Sequence, residues 1–250
     1  MAEARSPVVV VVGASGGIGR ALLARMEGND RFELVVGLSR RRPEGWTDAR
    51  IGGGRRRLWL PADLTVEASL AAAASRLRGL GEAHRIVVAT GILHGPDLQP
   101  ERTYRALSPE ALARAFAINA AGPALAAKHL LPLTPRDTPS LFAALSARVG
   151  SLADNRLGGW YAYRASKTAL NMLIRTLAIE HVRTRPRGVC VALHPGTVDT
   201  PLSAPFQGGV PPERLFTPER AAEALCEVMD GLTAADTGRI FAWDGQPIPW

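Results

Sequence analysis

The sequence contains little cysteine and almost no lysine. Its two cysteines, Cys190 and Cys226, lie in apolar segments and lack the spacing of a disulfide framework or a metal site. We therefore expect two buried thiols and no bound metal. The net charge of +7 comes almost wholly from arginine, because Lys128 and Lys167 are the only lysines. The arginine triplets at 40–42 and 55–57 are not interleaved with a recognition motif, which predicts solvated basic faces and no nucleic-acid partner.

Long hydrophobic runs are also missing. The first residues, MAEARSP, precede five valines, which do not make the apolar core of a secretory signal and fall far short of a membrane span. We therefore expect a cytoplasmic protein without membrane contact. No stretch has the composition of a flexible linker and no repeat recurs at a solenoid period, so residues 1–250 are predicted to form a single domain.

Short β-branched runs alternate with amphipathic helical segments along the chain. The first strand is predicted at Val8–Val12, and Ile18, Leu22 and Met26 then share one face of a helix. Further strands are predicted at 32–38, 57–60, 85–89, 140–146, 188–195 and 239–243, and further helices at 66–77, 108–131, 163–182 and 217–232. This alternation predicts an α/β fold, a Rossmann-like doubly wound parallel sheet of about seven strands with helices on both faces.

A glycine cluster, GASGGIG, follows the first strand directly. A turn that brings its backbone against a pyrophosphate needs residues without Cβ, and the charge of the phosphates then rests on the helix N-terminus. The spacing differs from G-x-G-x-x-G, and turns also collect glycine for conformational reasons alone. The position between a buried strand and an apolar helix favours a phosphate-binding turn over a plain one.

The end of the second strand bears on the choice between NAD and NADP. An acidic residue about 20 positions after the glycines would hold a ribose 2′-hydroxyl, but this chain has Arg40 there. A guanidinium pairs well with a 2′-phosphate. We therefore expect NADP(H) rather than NAD(H), with Ser39 and Arg40 as contacts and Arg41 as a further one; a solvent-facing basic turn is the alternative. Asp63, after the third strand, either bonds the adenine or caps a helix.

Two tyrosines stand just ahead of a lysine in WYAYRASK. On a helix Tyr163 and Lys167 lie ~40° apart, whereas Tyr161 and Lys167 lie ~240° apart. Only Tyr163 can therefore share a face with the lysine. An ammonium ~5 Å from a phenol, at an effective dielectric of ~20, favours its anion by about 3 kcal/mol, or about two pKa units. From these residues alone, a surface Tyr–Lys pair remains the simpler interpretation.

Seven motifs in order give the chain a family likeness. They are GASGGIG, DL at 63–64, ATG at 89–91, Asn119, a serine at a strand end at 146, YRASK at 163–167 and PGTVDT at 195–200. Over nearly its full length the chain thus resembles the short-chain dehydrogenase/reductase family. RVGSLADNRLGGWYAYRASKTALN and the closing WDGQPIPW look most like the branch of C-factor and the sniffer-type carbonyl reductases.

The resemblance implies roles for individual residues. Tyr163 would be the acid–base group, Lys167 would lower its pKa and hold the nicotinamide ribose, and Asn119 would link a relay water to the lysine, a role compatible with a helix kink at the same position. Tyr163 and Lys167 would also contact the cofactor, as would the residues already named at 39–41 and 63. The other cofactor contacts that the resemblance implies are Gly13, Ser15, Gly17, Ile18, Gly19, Leu64, Ala89, Gly91, Pro195, Gly196, Val198 and Thr200.

One position departs from the family pattern. The family usually has a second serine after the fifth long strand, which polarises the substrate carbonyl, and here the pair is Ser146-Ala147. Ser146 and Ser151 are the remaining candidates. Side chains of adjacent strand residues point to opposite faces of the sheet. Ser146 can therefore serve as the donor to the carbonyl only if the strand has already ended or if a bulge redirects its side chain.

The resemblance therefore predicts an NADP(H)-dependent oxidoreductase that interconverts a carbonyl and a secondary alcohol. Its partner would be a small molecule, held under a substrate loop near 197–216 whose proline and glycine content permits hinge motion. Proteins of the family often form homodimers or homotetramers. The alternative is a non-catalytic or signalling nucleotide-binding protein of C-factor type.

Overall fold

A central eight-stranded sheet organises the protein, whose computed structural model describes residues 6–250. In chain order the strands are β1 (Pro7–Val12), β2 (Leu34–Ser39), β3 (Ala49–Arg50), β4 (Arg56–Pro61), β5 (Glu82–Val88), β6 (Ser140–Leu145), β7 (Gly188–His194), β8 (Thr197–Val198), β9 (Leu215–Phe216) and β10 (Ile240–Ala242). The sheet order is β10-β7-β6-β5-β1-β2-β4-β3.

All seven strands predicted from the sequence lie in this sheet, and their pairs are parallel. The eighth strand, β3, runs antiparallel to β4 at the edge. It has two residues, too few for an alternating pattern to be visible in the sequence. The predicted fold class, a doubly wound α/β sheet, is confirmed.

Helices cover both faces of the sheet. They are α1 (Gly17–Glu27), α2 (Glu67–Leu77), α3 (Pro109–Phe116), α4 (Gly122–Leu130), α5 (Tyr161–His181) and α6 (Pro218–Gly231). Successive residues of β1 alternate between the two cores, with Val8, Val10 and Val12 on the side of α2, α4 and α5, and Val9 and Val11 on the side of α1 and α6. β1 lies between β2 and β5, so the strands that follow β1 along the chain are added first on one side of it and then on the other. At this switch in strand order a cleft opens at the carboxyl ends of the strands.

The helical region predicted at 108–131 is divided rather than continuous. A π-helical segment, Ala117–Ala121, separates α3 from α4 and contains Asn119. Pro123 has no N–H and cannot donate to the carbonyl of Asn119, which favours a wider turn at this point. The sequence offered a helix kink as an alternative role for Asn119, and the structure has a change from α- to π-helical turns at this residue.

The segment between β7 and α6 is anchored at both ends. β8 and β9 pair in parallel as a separate two-stranded sheet, so that Val198 lies opposite Phe216. The loop predicted near 197–216 is therefore closed at its base. None of the helices within residues 6–250 is both long and apolar enough to cross a membrane. The expectation about a leader segment is based on residues 1–12, of which residues 1–5 lie outside the described residues.

Candidate active site

The glycine turn joins β1 to α1 at the carboxyl edge of the sheet. Gly13 has φ +89°, and a Cβ there would lie 2.8 Å from the carbonyl oxygen of Ala89. A Cβ on Gly19 would collide with the carbonyl oxygen of Gly13, so both positions require glycine. The first turn of α1 carries neither an acidic residue nor a side-chain cap. Its N–H groups are therefore suited to an anion such as a phosphate.

The cleft beside this turn contains much of the predicted cofactor site. Its wall brings together Gly13, Ser15, Ser39, Arg40, Asp63, Leu64, Ala89 and Gly91, all predicted from the sequence. Gly17, Ile18 and Gly19 open α1 next to it. Thr90, Ile92, Arg114 and Ile118 also line the cleft and were missed, because no spacing in the sequence connects α3 to the end of β5.

The hydroxyl of Ser39 is used within the protein. It donates to the carbonyl oxygen of Arg41 at 2.6 Å and accepts from Trp59 Nε1 at 3.0 Å. Ser39 therefore shapes the turn in which Arg40 stands, and its contact with a cofactor stays a prediction. Arg40 is exposed and lines the cleft, where a phosphate could reach its guanidinium.

Asp63 also has a local partner. Its Oδ1 accepts from the backbone N–H of Thr65 at 2.9 Å and from the Thr65 hydroxyl at 2.7 Å. These hydrogen bonds, and then the charge of Arg40, lower the pKa of the carboxyl. Asp63 thus stabilises the turn before α2, and contact with an adenine stays a prediction.

The residues present fit a dinucleotide. Thr90 Oγ1 is buried without a hydrogen-bond partner among the described residues, at the wall of the cleft. Buried hydroxyls without partners are rare, so this one marks a place where a ligand would complete the site. Opposite, a Cβ on Gly17 would lie 2.8 Å from Thr200 Cγ2, which places the predicted Pro195–Thr200 loop directly over the glycine turn.

Tyr163 and Lys167 share a face of α5, as their spacing predicts. Lys167 Nζ lies 5.8 Å from the centroid of the Tyr163 ring. The lysine is buried and donates to the carbonyl oxygen of Leu145, the last residue of β6, at 2.8 Å. A Cβ on Gly91 would lie 3.6 Å from Nζ, so the ammonium borders the cofactor cleft. Tyr161, two residues before Tyr163, lies on a different side of α5.

Burial governs the protonation of both groups. It raises the pKa of Tyr163 to about 12 and lowers the pKa of Lys167 to about 8. The sequence predicted that the lysine would lower the pKa of the tyrosine. In the structure the pKa of Tyr163 moves in the opposite direction, because its burial disfavours the charged phenolate.

The hydroxyls of the two candidate serines, Ser146 and Ser151, form hydrogen bonds with residues other than Tyr163. Ser146 donates to Asn171 Oδ1 of α5 at 2.7 Å, and both residues are buried. Ser151 donates to the carbonyl oxygen of Trp250 at 3.3 Å and accepts from the N–H of Asp154 at 3.1 Å. β6 ends at Leu145, but the next residue, Ser146, still points into the core. Neither hydroxyl is hydrogen-bonded to Tyr163 among the described residues, and the choice between Ser146 and Ser151 stays a prediction.

Asn119 is fully buried at the π-helical turn. Its Oδ1 accepts from Ile92 N at 2.8 Å, and its Nδ2 donates to Ile92 O at 2.9 Å and to Ser166 Oγ at 3.0 Å. These bonds hold the chain after β5 against the helix that carries Tyr163. A link from Asn119 to a relay water stays a prediction.

Asn119→Ala is expected to lower the free energy of unfolding by about 1–3 kcal/mol, because partly buried backbone groups of Ile92 lose their partners. The same change should weaken dinucleotide binding, since Gly91 borders the cleft. Urea unfolding followed by circular dichroism measures the first effect. Asn29→Ala is the matched control, because Asn29 makes one exposed hydrogen bond, to Arg31 N. Equal stability losses for the two variants would contradict the role given to Asn119.

A row of aromatic rings extends from Tyr163 toward solvent. The Trp160 ring lies edge-on to Tyr163, with centroids 6.2 Å apart, and edge-on to Phe206 at 5.1 Å. His94 lies 5.6 Å beyond Phe206 and contacts the carbonyl oxygen of Pro201 at 3.0 Å. Three loops thus contribute rings to one wall, and sequence reasoning singled out Tyr163 alone among them.

The fold and the glycine turn define a dinucleotide-binding protein of the dehydrogenase type. The sequence profile described as short chain dehydrogenase matches residues 7–209. The chain therefore belongs to the short-chain dehydrogenase family and is an oxidoreductase of that family.

Individual relatives support this assignment. The chain is 39% identical to the C-signal protein of Myxococcus xanthus over 140 residues, 56% of this chain and 78% of the relative. It is 30% identical to 1-hydroxy-2-glutathionyl-2-methyl-3-butene dehydrogenase of Rhodococcus sp. over 242 residues, 97% and 99% of the two chains. A short-chain dehydrogenase/reductase structure from Burkholderia multivorans with bound NADP is 27% identical, with TM-score 0.75, over 98% of this chain and 100% of that one. The predicted likeness to the C-factor branch is confirmed.

Proposed function

We propose that the protein is an NADP(H)-dependent reductase of a small carbonyl compound, with Tyr163 as the group that transfers the proton. The observation that carries this proposal is the position of the Tyr163–Lys167 pair. It stands at the carboxyl edge of the sheet, and Lys167 Nζ adjoins Gly91 of the dinucleotide cleft. A proton donor beside a cofactor cleft is what carbonyl reduction requires.

The residues of this chain would act in a simple order. A bound nicotinamide supplies the hydride that reaches the carbonyl carbon. Tyr163, with its pKa near 12, remains protonated at neutral pH and donates its proton to the carbonyl oxygen. The ammonium of Lys167, fixed by Leu145 O, favours the phenolate that remains. In the reverse direction the phenolate accepts the proton of a secondary alcohol.

Mixing the purified protein with NADPH and a panel of aldehydes, ketones and quinones tests this proposal. Consumption of NADPH, measured at its absorbance band, is expected with at least one carbonyl compound. If NADPH binds but its absorbance never falls with any of them, the catalytic proposal is wrong.

A second candidate function is signalling by a nucleotide-binding protein without turnover. Two observations favour it: Ala147 stands where the family usually has serine, and the C-signal protein is a relative. The same assay separates the two functions, because a binding protein would hold NADPH without oxidising it.

The preference for NADP over NAD rests on Arg40. Its guanidinium is exposed in the cleft, one residue after β2, where it can pair with a 2′-phosphate. The NADP bound to the Burkholderia relative supports the same preference.

Arg40→Ala is expected to weaken NADPH binding by about 10–100-fold, because a charge-assisted hydrogen bond contributes about 1.5–3 kcal/mol. NADH affinity should change little, since NADH lacks the 2′-phosphate. Titration of protein fluorescence with each dinucleotide measures both constants. Arg50→Ala, at the exposed edge strand β3, is the matched control. Equal losses for NADPH and NADH would assign Arg40 a role other than phosphate recognition.

Other properties remain proposals that follow from the family. We retain a single domain, a small-molecule substrate, a cytoplasmic location and a homodimer or homotetramer. The loop closed by β8 and β9 would cover the substrate, since it contributes Phe206 to the aromatic wall.

A further inference from the structure

Trp160 has an unusual backbone conformation. Its φ of 51° and ψ of 44° are left-handed, and it is the sole non-glycine residue with positive φ within residues 6–250. It follows Gly158 and Gly159, whose φ values are 63° and 65°. A bulky residue in this region is strained, and such strain persists only where the surroundings impose it.

The side chain of Arg164, and the backbone and side chain of Glu101, hold this conformation. Arg164 Nε donates to the carbonyl oxygens of Gly158 at 3.1 Å and Gly159 at 3.0 Å. Glu101 holds the other side, because its carbonyl accepts from Trp160 N at 2.6 Å and its Oε2 accepts from Ala162 N at 3.1 Å. Glu101 is buried, 4% exposed, and its Oε2 is committed to the start of α5, whereas its Oε1 has no hydrogen-bond partner among the described residues.

The strained turn determines where the indole ring lies. Trp160 stands between Tyr163 and Phe206, edge-on to both. Beyond Trp160 and Phe206 is an open cavity whose wall also includes Asp97, Gln99 and Arg102, and Tyr163 does not line it. The two rings thus separate a polar entrance from the proposed proton donor.

We infer that Trp160 determines substrate specificity, selecting carbonyl compounds that carry a flat ring over linear ones, with Glu101 and Arg164 as its positioning residues. This inference rests on the proposed function, because the group selected is the one next to the carbonyl that Tyr163 protonates. Aromatic rings pair favourably in edge-to-face and offset arrangements, and a linear chain gains only the burial of its surface. The strained backbone of Trp160 is explained if the indole ring must lie between Tyr163 and Phe206 to contact the substrate.

Benzaldehyde and heptanal provide the test, since both are aldehydes with seven carbons. The wild type should have the higher kcat/KM for benzaldehyde. In Trp160→Ala the ratio of the two kcat/KM values should fall at least about tenfold, whereas Trp160→Phe should keep it within about threefold. Tyr104→Ala removes an aromatic ring that is 65% exposed nearby and should leave the ratio unchanged. An unchanged ratio in Trp160→Ala overturns the inference.

Binding separates this inference from the proposed function. Calorimetric titration of benzyl alcohol into the complex with NADP should show an affinity that falls about tenfold or more in Trp160→Ala. If the wild type binds benzyl alcohol in this manner but reduces no carbonyl, the proposed function fails and the role of Trp160 stands. If Trp160→Ala binds benzyl alcohol as tightly as the wild type, the role of Trp160 fails.

Stability gives an independent signature. Trp160→Gly and Trp160→Ala both remove the indole, but glycine tolerates positive φ. The glycine variant should therefore melt about 2–4 °C above the alanine variant, although both lose ring selectivity.

For the positioning residues, Glu101→Leu should lower the selectivity ratio, and Glu101→Gln, which keeps an acceptor for Ala162 N, should restore it. Equal ratios in these two variants would remove Glu101 from the inference.

Discussion

Tyr163→Phe is expected to lower kcat for carbonyl reduction by about 10²–10⁴-fold, the range that a positioned general acid contributes. The change removes one oxygen atom and keeps the ring that packs against Trp160. NADPH affinity should therefore remain close to that of the wild type. Steady-state kinetics with the best carbonyl of the panel, together with a fluorescence titration of NADPH, measure both quantities.

The chain supplies a matched control in the neighbouring tyrosine. Tyr161→Phe removes the same atom two residues earlier, on a side of α5 that does not face Lys167, and should retain most of the activity. Turnover that survives in Tyr163→Phe would leave the family intact and make the proposed proton donor wrong. Equal losses in both variants would point to a disturbed helix rather than to lost acid catalysis.

The pKa directions also predict how this activity depends on pH. With a pKa near 12, Tyr163 stays protonated across the neutral range and can serve reduction. Lys167, with its pKa lowered to about 8, loses its charge as pH rises through that value. The free enzyme should therefore show kcat/KM for reduction falling above pH about 8. Alcohol oxidation, which needs the phenolate, should be slow at neutral pH.

Much of the fold could be predicted because its signals are local. Short apolar runs identified all seven parallel strands, and the spacing of four between Tyr163 and Lys167 identified their common face on α5. The glycines of the first turn were recognisable because a Cβ at Gly13 or Gly19 has no space. Each of these inferences needs only residues that are close in the sequence.

The remaining features depend on contacts between distant segments. Glu101 holds the start of α5 from 61 positions away, and no pattern in the sequence connects the two. The sequence also does not show in which direction a side chain at a strand end points. Ser146 could therefore be proposed as a hydrogen-bond donor to the substrate carbonyl, although its hydroxyl donates to Asn171 in the structure. Ser39 and Asp63 were placed correctly at the cleft, but their hydrogen bonds to neighbouring residues were not foreseeable from residue type alone.

The missing serine has the largest consequence for the rate. Ala147 is extended, with φ −149° and ψ 148°, and is half-buried, and it directly follows Ser146, which points into the core. Side chains of adjacent extended residues point in opposite directions, so the Ala147 methyl group points away from Asn171. Because the family usually has a serine at this position, we expect a hydroxyl at 147 to face a carbonyl beside Tyr163.

Ala147→Ser is expected to raise kcat for carbonyl reduction by about 10²–10³-fold, the effect of one donor directed at a developing oxyanion. The wild type should accordingly be a slow enzyme that depends on Tyr163 alone. Ser146→Ala is the control, since it removes a hydroxyl that serves the buried bond to Asn171; it should lower the melting temperature and leave kcat nearly unchanged. Single-turnover reduction under saturating NADPH measures the chemical step in each protein.

A faster Ala147→Ser variant would attribute the slow reduction expected of the wild type to the lost hydroxyl donor. If that variant is no faster and Ser146→Ala loses activity while keeping its stability, Ser146 is the donor after all, and its hydroxyl must leave Asn171 when substrate binds.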